Sequence, residues 1–190
     1  MDNFEGIIRT LLEADHFWVQ SSFKVELTLG EKRHIGKHSM PRPELDLLAL
    51  NFEQNEVLVV EAKSFLDSPG VRVEDLEQEH DTPEGRYKLF TSERYRTTVF
   101  KRLLLQLCGN GMADAETKIS LALAAGNVYK GQSAAIQEMF LTKGFIFWSP
   151  EEIKEKVTAL AKRGYQDDAA ILTAKILSMT NFSDGNTPHL

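Results

Sequence analysis

The sequence predicts an α/β fold in which a mixed central sheet is flanked by helices. Three observations carry that expectation: an opening segment with helical apolar spacing, short apolar runs of strand length, and an alternation of strand and helix patterns through the second half. With 190 residues, 42% of them hydrophobic and 26% charged, one domain over residues 1–180 is expected, followed by a polar tail at 181–190.

Phe4, Ile7, Ile8, Leu11 and Leu12 recur at i, i+3 and i+4 behind Asp2 or Asn3 as a cap, which predicts a helix whose stripe needs a sheet to cover. In SSFKVELTLG, Phe23, Val25, Leu27 and Leu29 alternate with polar residues, the period of a half-buried strand ending at Gly30. EKRHIGKHSMPRP has no period and reads as a basic connecting loop. ELDLLAL at 44–50 and EVLVVEAK at 56–63 flank the short polar stretch NFEQN and predict a hairpin. The stretch 64–92, interrupted by Pro69, Gly70, Pro83 and Gly85, reads as an irregular insertion.

From Thr97, the spacing of Phe100, Leu103, Leu104 and Leu107 predicts a helix, with Gly109 suited to the left-handed position after its last turn. A buried strand at 118–126, a helix from Ser133, a short strand FIFWS, a helix opening near Pro150 and a last helix over 167–179 complete the order.

Charge and cysteine content narrow the function classes. There are 22 Lys and Arg against 28 Asp and Glu, a net charge of −6, which argues against coating a polyanion by bulk attraction and requires a local basic patch for any such partner. The lone Cys108 excludes an intramolecular disulfide and a cysteine-rich zinc site. The opening residues do not read as a signal peptide, and no apolar run has membrane-spanning length, so a cytoplasmic location without membrane contact is expected.

The chemistry concentrates at the end of the second hairpin strand. Glu61 and Lys63 are two residues apart and share a face. A hairpin closed symmetrically about NFEQN sets Leu50 against Val57 and Asp46 against Glu61; a one-residue slip would turn Asp46 away. Two carboxylates about 5 Å apart repel by roughly 3 kcal/mol at an effective dielectric near 20. A cation belongs between them. Lys63 supplies one, and magnesium, which takes hard oxygen ligands and needs only one or two carboxylates, supplies a larger one; manganese can substitute. Lys63 can then orient or deprotonate a water, or stabilise developing negative charge.

ELDLLAL followed by EAK, with Glu61 fifteen residues after Asp46, resembles the PD-(D/E)xK nuclease signature. The resemblance implies the restriction-endonuclease-like fold. It also implies that Asp46, Glu61 and the backbone carbonyl of Ala62 bind magnesium and that Lys63 serves catalysis. The opening LLEADHFWVQSS is similar to archaeal Holliday-junction resolvases, which places Glu5 at a further metal-ligand position; the other reading of Glu5 is a helix-start acid favoured by the dipole. Pro43 stands three residues before Asp46 rather than adjacent to it, and the insertion at 64–92 has no counterpart in the minimal resolvases.

Two basic clusters bracket these residues. Lys32, Arg33, Lys37 and Arg42 precede the Asp46 strand, while Arg86, Lys88, Arg94, Arg96, Lys101 and Arg102 open the following helix, where Gln106 continues the stripe of Thr98 and Arg102. All are candidates for gripping phosphates. The expected function is therefore a magnesium-dependent nuclease, an endodeoxyribonuclease hydrolysing DNA phosphodiester bonds with a metal-activated water; a homodimer would serve cutting of both strands. The alternatives are a catalytically inactive nucleic-acid-binding or assembly protein on the same fold, and a hydrolase of a small phosphate compound.

Overall fold

A computed structural model describes residues 2–164 and 168–180. The tail at 181–190, and Asp167 at the start of the expected last helix, lie outside the described residues. The elements run α1 (Asn3–Ala14), β1 (Trp18–Lys24), α2 (Leu29–His34), β2 (Glu44–Asn51), β3 (Glu56–Lys63), α3 (Val73–Glu77), α4 (Lys88–Thr91), α5 (Glu93–Gly109), β4 (Lys118–Ala125), α6 (Ser133–Lys143), β5 (Ile146–Trp148), α7 (Pro150–Leu160) and α8 (Ala169–Thr180). The fold is α/β: a five-stranded mixed sheet in the order β1-β2-β3-β4-β5, flanked by helices.

The sheet is an antiparallel meander, β1 to β3, joined to a parallel half, β3 to β5. Its two faces carry separate cores because side chains alternate along each strand. One face buries Leu48, Leu50, Val57, Val59, Leu121 and Leu123 beneath α5 and α6. The other buries Leu47, Ala49, Leu58, Val60, Ala122 and Ala124 beneath α1, α7 and α8. The opening helix forms as its pattern requires: Asp2 and Glu5 make a reciprocal capping box, and Phe4, Ile8, Leu11 and Leu12 bury the apolar stripe.

The structure corrects several expectations drawn from sequence. β1 begins at Trp18, three residues before the stretch SSFKVELTLG, and ends at Lys24, six residues short of Gly30. Val25 and Leu27 are buried as the alternation demands, but Leu29 is 71% exposed, because the chain turns there into α2 instead of a loop. Thr28 and Glu31 form that helix's capping box. The stretch 64–92 is not wholly irregular: it holds α3 and α4 and sends Leu76, Tyr87, Leu89 and Phe90 into the core. α5 starts at Glu93, and Gly109 lies inside it; the left-handed residue beyond is Gly111, at φ 70°.

The hairpin has the register predicted, with Leu50 opposite Val57 and Leu47 opposite Val60. At its closed end, Asn55 takes φ 51° and is tied across to the entry of β4. Asn55 Nδ2 donates to both carboxylate oxygens of Asp114 at 3.0 and 3.1 Å, and Thr117 Oγ1 donates to Asn55 Oδ1 at 2.6 Å. The Glu116 amide adds a further bond to Asp114. These bonds hold the Asp114 carboxyl below its ordinary range.

Candidate functional site

Asp46 is delivered by a break in the sheet. The β1–β2 register pairs Ser21 with Leu47 and Phe23 with Leu45 but skips Ser22 opposite Asp46, and Ser22 adopts φ 54°. On one side of that break Val19 and Leu47 belong to the α1 face; on the other, Phe23 and Leu45 belong to the α5 face. Both strands therefore change faces at Ser22 and Asp46. The β2–β3 ladder also stops at Leu47–Val60. Beyond it the Asp46 carboxylate takes the place of a ladder carbonyl, with Oδ2 accepting from the Ala62 amide at 2.9 Å.

Lys63 closes the group. Its Nζ donates to Asp46 Oδ2 at 2.9 Å and to Glu61 Oε2 at 3.2 Å. The three side chains are only 23%, 13% and 20% exposed for Asp46, Glu61 and Lys63. Gly126 locks the end of β3: its amide donates to the Lys63 carbonyl at 2.9 Å, and a Cβ at this position would lie 2.4 Å from the Ser64 carbonyl oxygen. Only glycine allows the strands to approach so closely here.

The electrostatics follow from that burial. Desolvation, with Asp46 adding to it, pushes the Glu61 carboxyl up to about 7 against the opposing pull of Lys63. Burial would lower the Lys63 ammonium, but Glu61 and Asp46 outweigh it and raise the group above its ordinary value. Tyr95 on α5 faces Glu61, and burial first and Glu61 second push its phenol up to about 12. Glu5 is drawn into the same field: burial, then Asp46 and Asp2, raise its carboxyl. Its Oε2 also accepts from the Asp2 amide at 3.2 Å. Glu5 is thus a helix-start acid within electrostatic reach of Asp46.

Magnesium fits this donor set. Among the described residues no group of three or more His, Cys, Asp and Glu converges as a full cage, but magnesium keeps most of its waters and takes one or two carboxylates. Asp46 Oδ1 and Glu61 Oε1 accept no hydrogen bond among the described residues, and one ammonium balances two carboxylates incompletely. The residues that would hold the ion are Asp46, Glu61 and the backbone carbonyl of Ala62.

A cleft of about 460 Å³ opens over Glu61 and Lys63, walled by Arg42, Arg86, Lys88, Phe65 and Tyr95 among others. Lys88 lies near enough to Glu61 to favour its ionised form. The remaining basic residues divide. Lys32, Arg33, Lys37 and Lys101 make no ion pair among the described residues. α2 and α5 are joined by Glu31 and Arg102, whose Nε and Nη2 clasp Glu31 at 2.8 to 3.1 Å. Arg102 is therefore occupied inside the fold, as is Gln106, which accepts from the Glu26 amide at 2.7 Å. Arg42 pairs with Glu26 at 2.6 Å, and Arg94 lies 3.9 Å from Asp81. Arg96 donates to the Leu89 carbonyl at 3.0 Å and stacks over Phe145.

Sequence reasoning did not find Tyr95 as a neighbour of Glu61, nor Phe65 and Gly126 as parts of the site's frame. No local pattern marks them, since their importance comes from the parallel β3–β4 crossover. Comparison with known protein families, with characterised proteins and with solved structures finds no match for this chain.

Proposed function

We propose that the chain is a magnesium-dependent nuclease of the restriction-endonuclease-like class that hydrolyses DNA phosphodiester bonds. The observation that carries this reading is the meeting of Asp46, Glu61 and Lys63 at a break in the sheet, with Glu61 and Lys63 lining a cleft that has basic walls. The strand order supports it, since an antiparallel meander followed by a parallel crossover is the topology the resemblance implies. A bound magnesium would acidify a water and offset negative charge on the phosphate.

The protein's own groups do the rest. Asp46 and Glu61 would hold the ion, and the Ala62 amide and Lys63 fix the two carboxylates in place. The Lys63 ammonium, bridging both acids, is placed to stabilise charge building on the phosphate. Arg86 and Lys88, which make no ion pair among the described residues, hold flanking phosphates.

The test is cleavage of end-labelled DNA by the full chain in magnesium, manganese or EDTA, with Lys63→Ala alongside. Cleavage by the parent in either metal, none in EDTA, and retained DNA binding without cleavage by Lys63→Ala are expected. Equal cleavage by parent and variant rejects the mechanism. Binding without cleavage by the parent in both metals establishes the inactive binding protein instead.

A further inference from the structure

The segment leaving β3 contains a feature that the hydrolytic chemistry does not use. Phe65, two residues beyond Lys63, adopts φ 44°, a left-handed backbone that bulky residues avoid. Its carbonyl accepts from the Ser68 amide at 3.1 Å, from Ser68 Oγ at 3.2 Å and from Asn127 Nδ2 at 3.2 Å. Asn127 Nδ2 also donates to the Ser68 carbonyl at 2.8 Å. The turn's backbone is thus fixed from β4's side.

That ring stands where two cavities meet. One is the cleft over Glu61 and Lys63; the other, of about 410 Å³, continues past Arg72 and His80, and Phe65, Gly85 and Arg86 line both. The guanidinium of Arg86 lies 5.7 Å from the Phe65 ring centroid, and Arg86 makes no ion pair among the described residues. Packing against the core accounts for the covered part of the ring. It does not account for a strained backbone that holds the ring beside a planar cation at the junction of two open spaces.

Resting on the phosphodiester reading of the site, we propose that Phe65 and Arg86 form a stacking platform for an unpaired nucleobase next to the scissile phosphate. The preferred substrate is then nucleic acid with unpaired nucleotides at the cut, as in a single strand, a flap or a splayed junction. A base inside a duplex is stacked on both faces and cannot meet a side-chain ring, whereas an unpaired base offers its π-face to an aromatic or an arginine plane. The second cavity gives the strand a path onward from the platform.

The experiment titrates the full chain in EDTA with oligonucleotides carrying 2-aminopurine, as single strand, splayed duplex and blunt duplex, and follows fluorescence quenching. Phe65→Leu, Phe65→Trp and Arg86→Lys are compared with the parent, and each is checked for an unchanged thermal midpoint. Quenching is expected with unpaired 2-aminopurine only. Phe65→Leu should lose it and bind the single strand about five- to a hundredfold more weakly, Phe65→Trp should keep it, and Arg86→Lys, which retains charge but loses the plane, should weaken it. Arg86 is exposed, so that variant reads the platform even if changes at Phe65 disturb folding. Undiminished quenching and affinity in Phe65→Leu overturn the platform. Magnesium-dependent cleavage that prefers blunt duplex and ignores Phe65 overturns it while sparing the nuclease reading; Phe65-dependent quenching without cleavage in magnesium does the reverse.

Discussion

The two ends of β3 treat an acid in opposite ways. At the N-terminal end Asp114 is open to solvent and its carboxylate receives hydrogen bonds from Asn55, the Glu116 amide and Thr117, so its carboxyl titrates below its ordinary range. At the C-terminal end Glu61 is enclosed, shares one lysine with Asp46, and is pushed up to about 7. The first arrangement is complete and stabilises the turn that sets the hairpin register. The second is short of positive charge, an imbalance that the proposed magnesium would relieve.

That contrast can be broken at its strong end first. Asp46→Asn and Glu61→Gln are each expected to lower magnesium-dependent DNA cleavage by at least about 10²-fold, measured as initial rates at saturating magnesium. Next, Lys63→Met strands two acids in a half-enclosed site and is expected to cost on the order of 3 kcal/mol of stability in EDTA. Urea denaturation reads this, and magnesium should restore part of the loss. Full stability of Lys63→Met without metal would mean that the site carries no charge conflict.

The pH response separates the ends further. Because the folded protein holds the Glu61 proton up to about pH 7, while an unfolded glutamate releases it near 4.5, the folded state binds more protons in between. Stability in EDTA should therefore fall as pH rises from about 4.5 to about 7. The difference between the parent and Glu61→Gln isolates this component, which the variant lacks. A smaller effect belongs to the strut between α2 and α5: Arg102→Ala is expected to cost about 1–2 kcal/mol with no change in the salt dependence of DNA binding. Smallest of all, Asp114→Asn should lower the thermal midpoint slightly and leave cleavage unchanged.

How much of this was legible depends on range along the chain. The hairpin register could be read because closure symmetric about NFEQN fixes it, setting Leu50 against Val57. The pairing of Asp46 with Glu61 did not follow from it: the ladder stops at Leu47–Val60, and the Asp46 carboxylate bonds the Ala62 amide instead. The break at Ser22 could not be read: a serine at positive φ leaves no signature, and the strand pattern continued past it through Val25 and Leu27. α2 was hidden because its six residues are too few to show a period, although Thr28 and Glu31 supplied the cap. Arg102 and Gln106 looked like phosphate ligands because their partners, Glu31 and Glu26, stand 71 and 80 residues away. The α/β class needed none of these details, since alternating elements are local.

The bond between Asp46 and the Ala62 amide has a practical consequence. The same carboxylate that would face a guest ion also shields one backbone proton, so occupancy at the side chain is transmitted directly to a nucleus in the strand. In a nitrogen-15 spectrum the Ala62 cross-peak becomes a built-in gauge of what the site holds, readable with no substrate added.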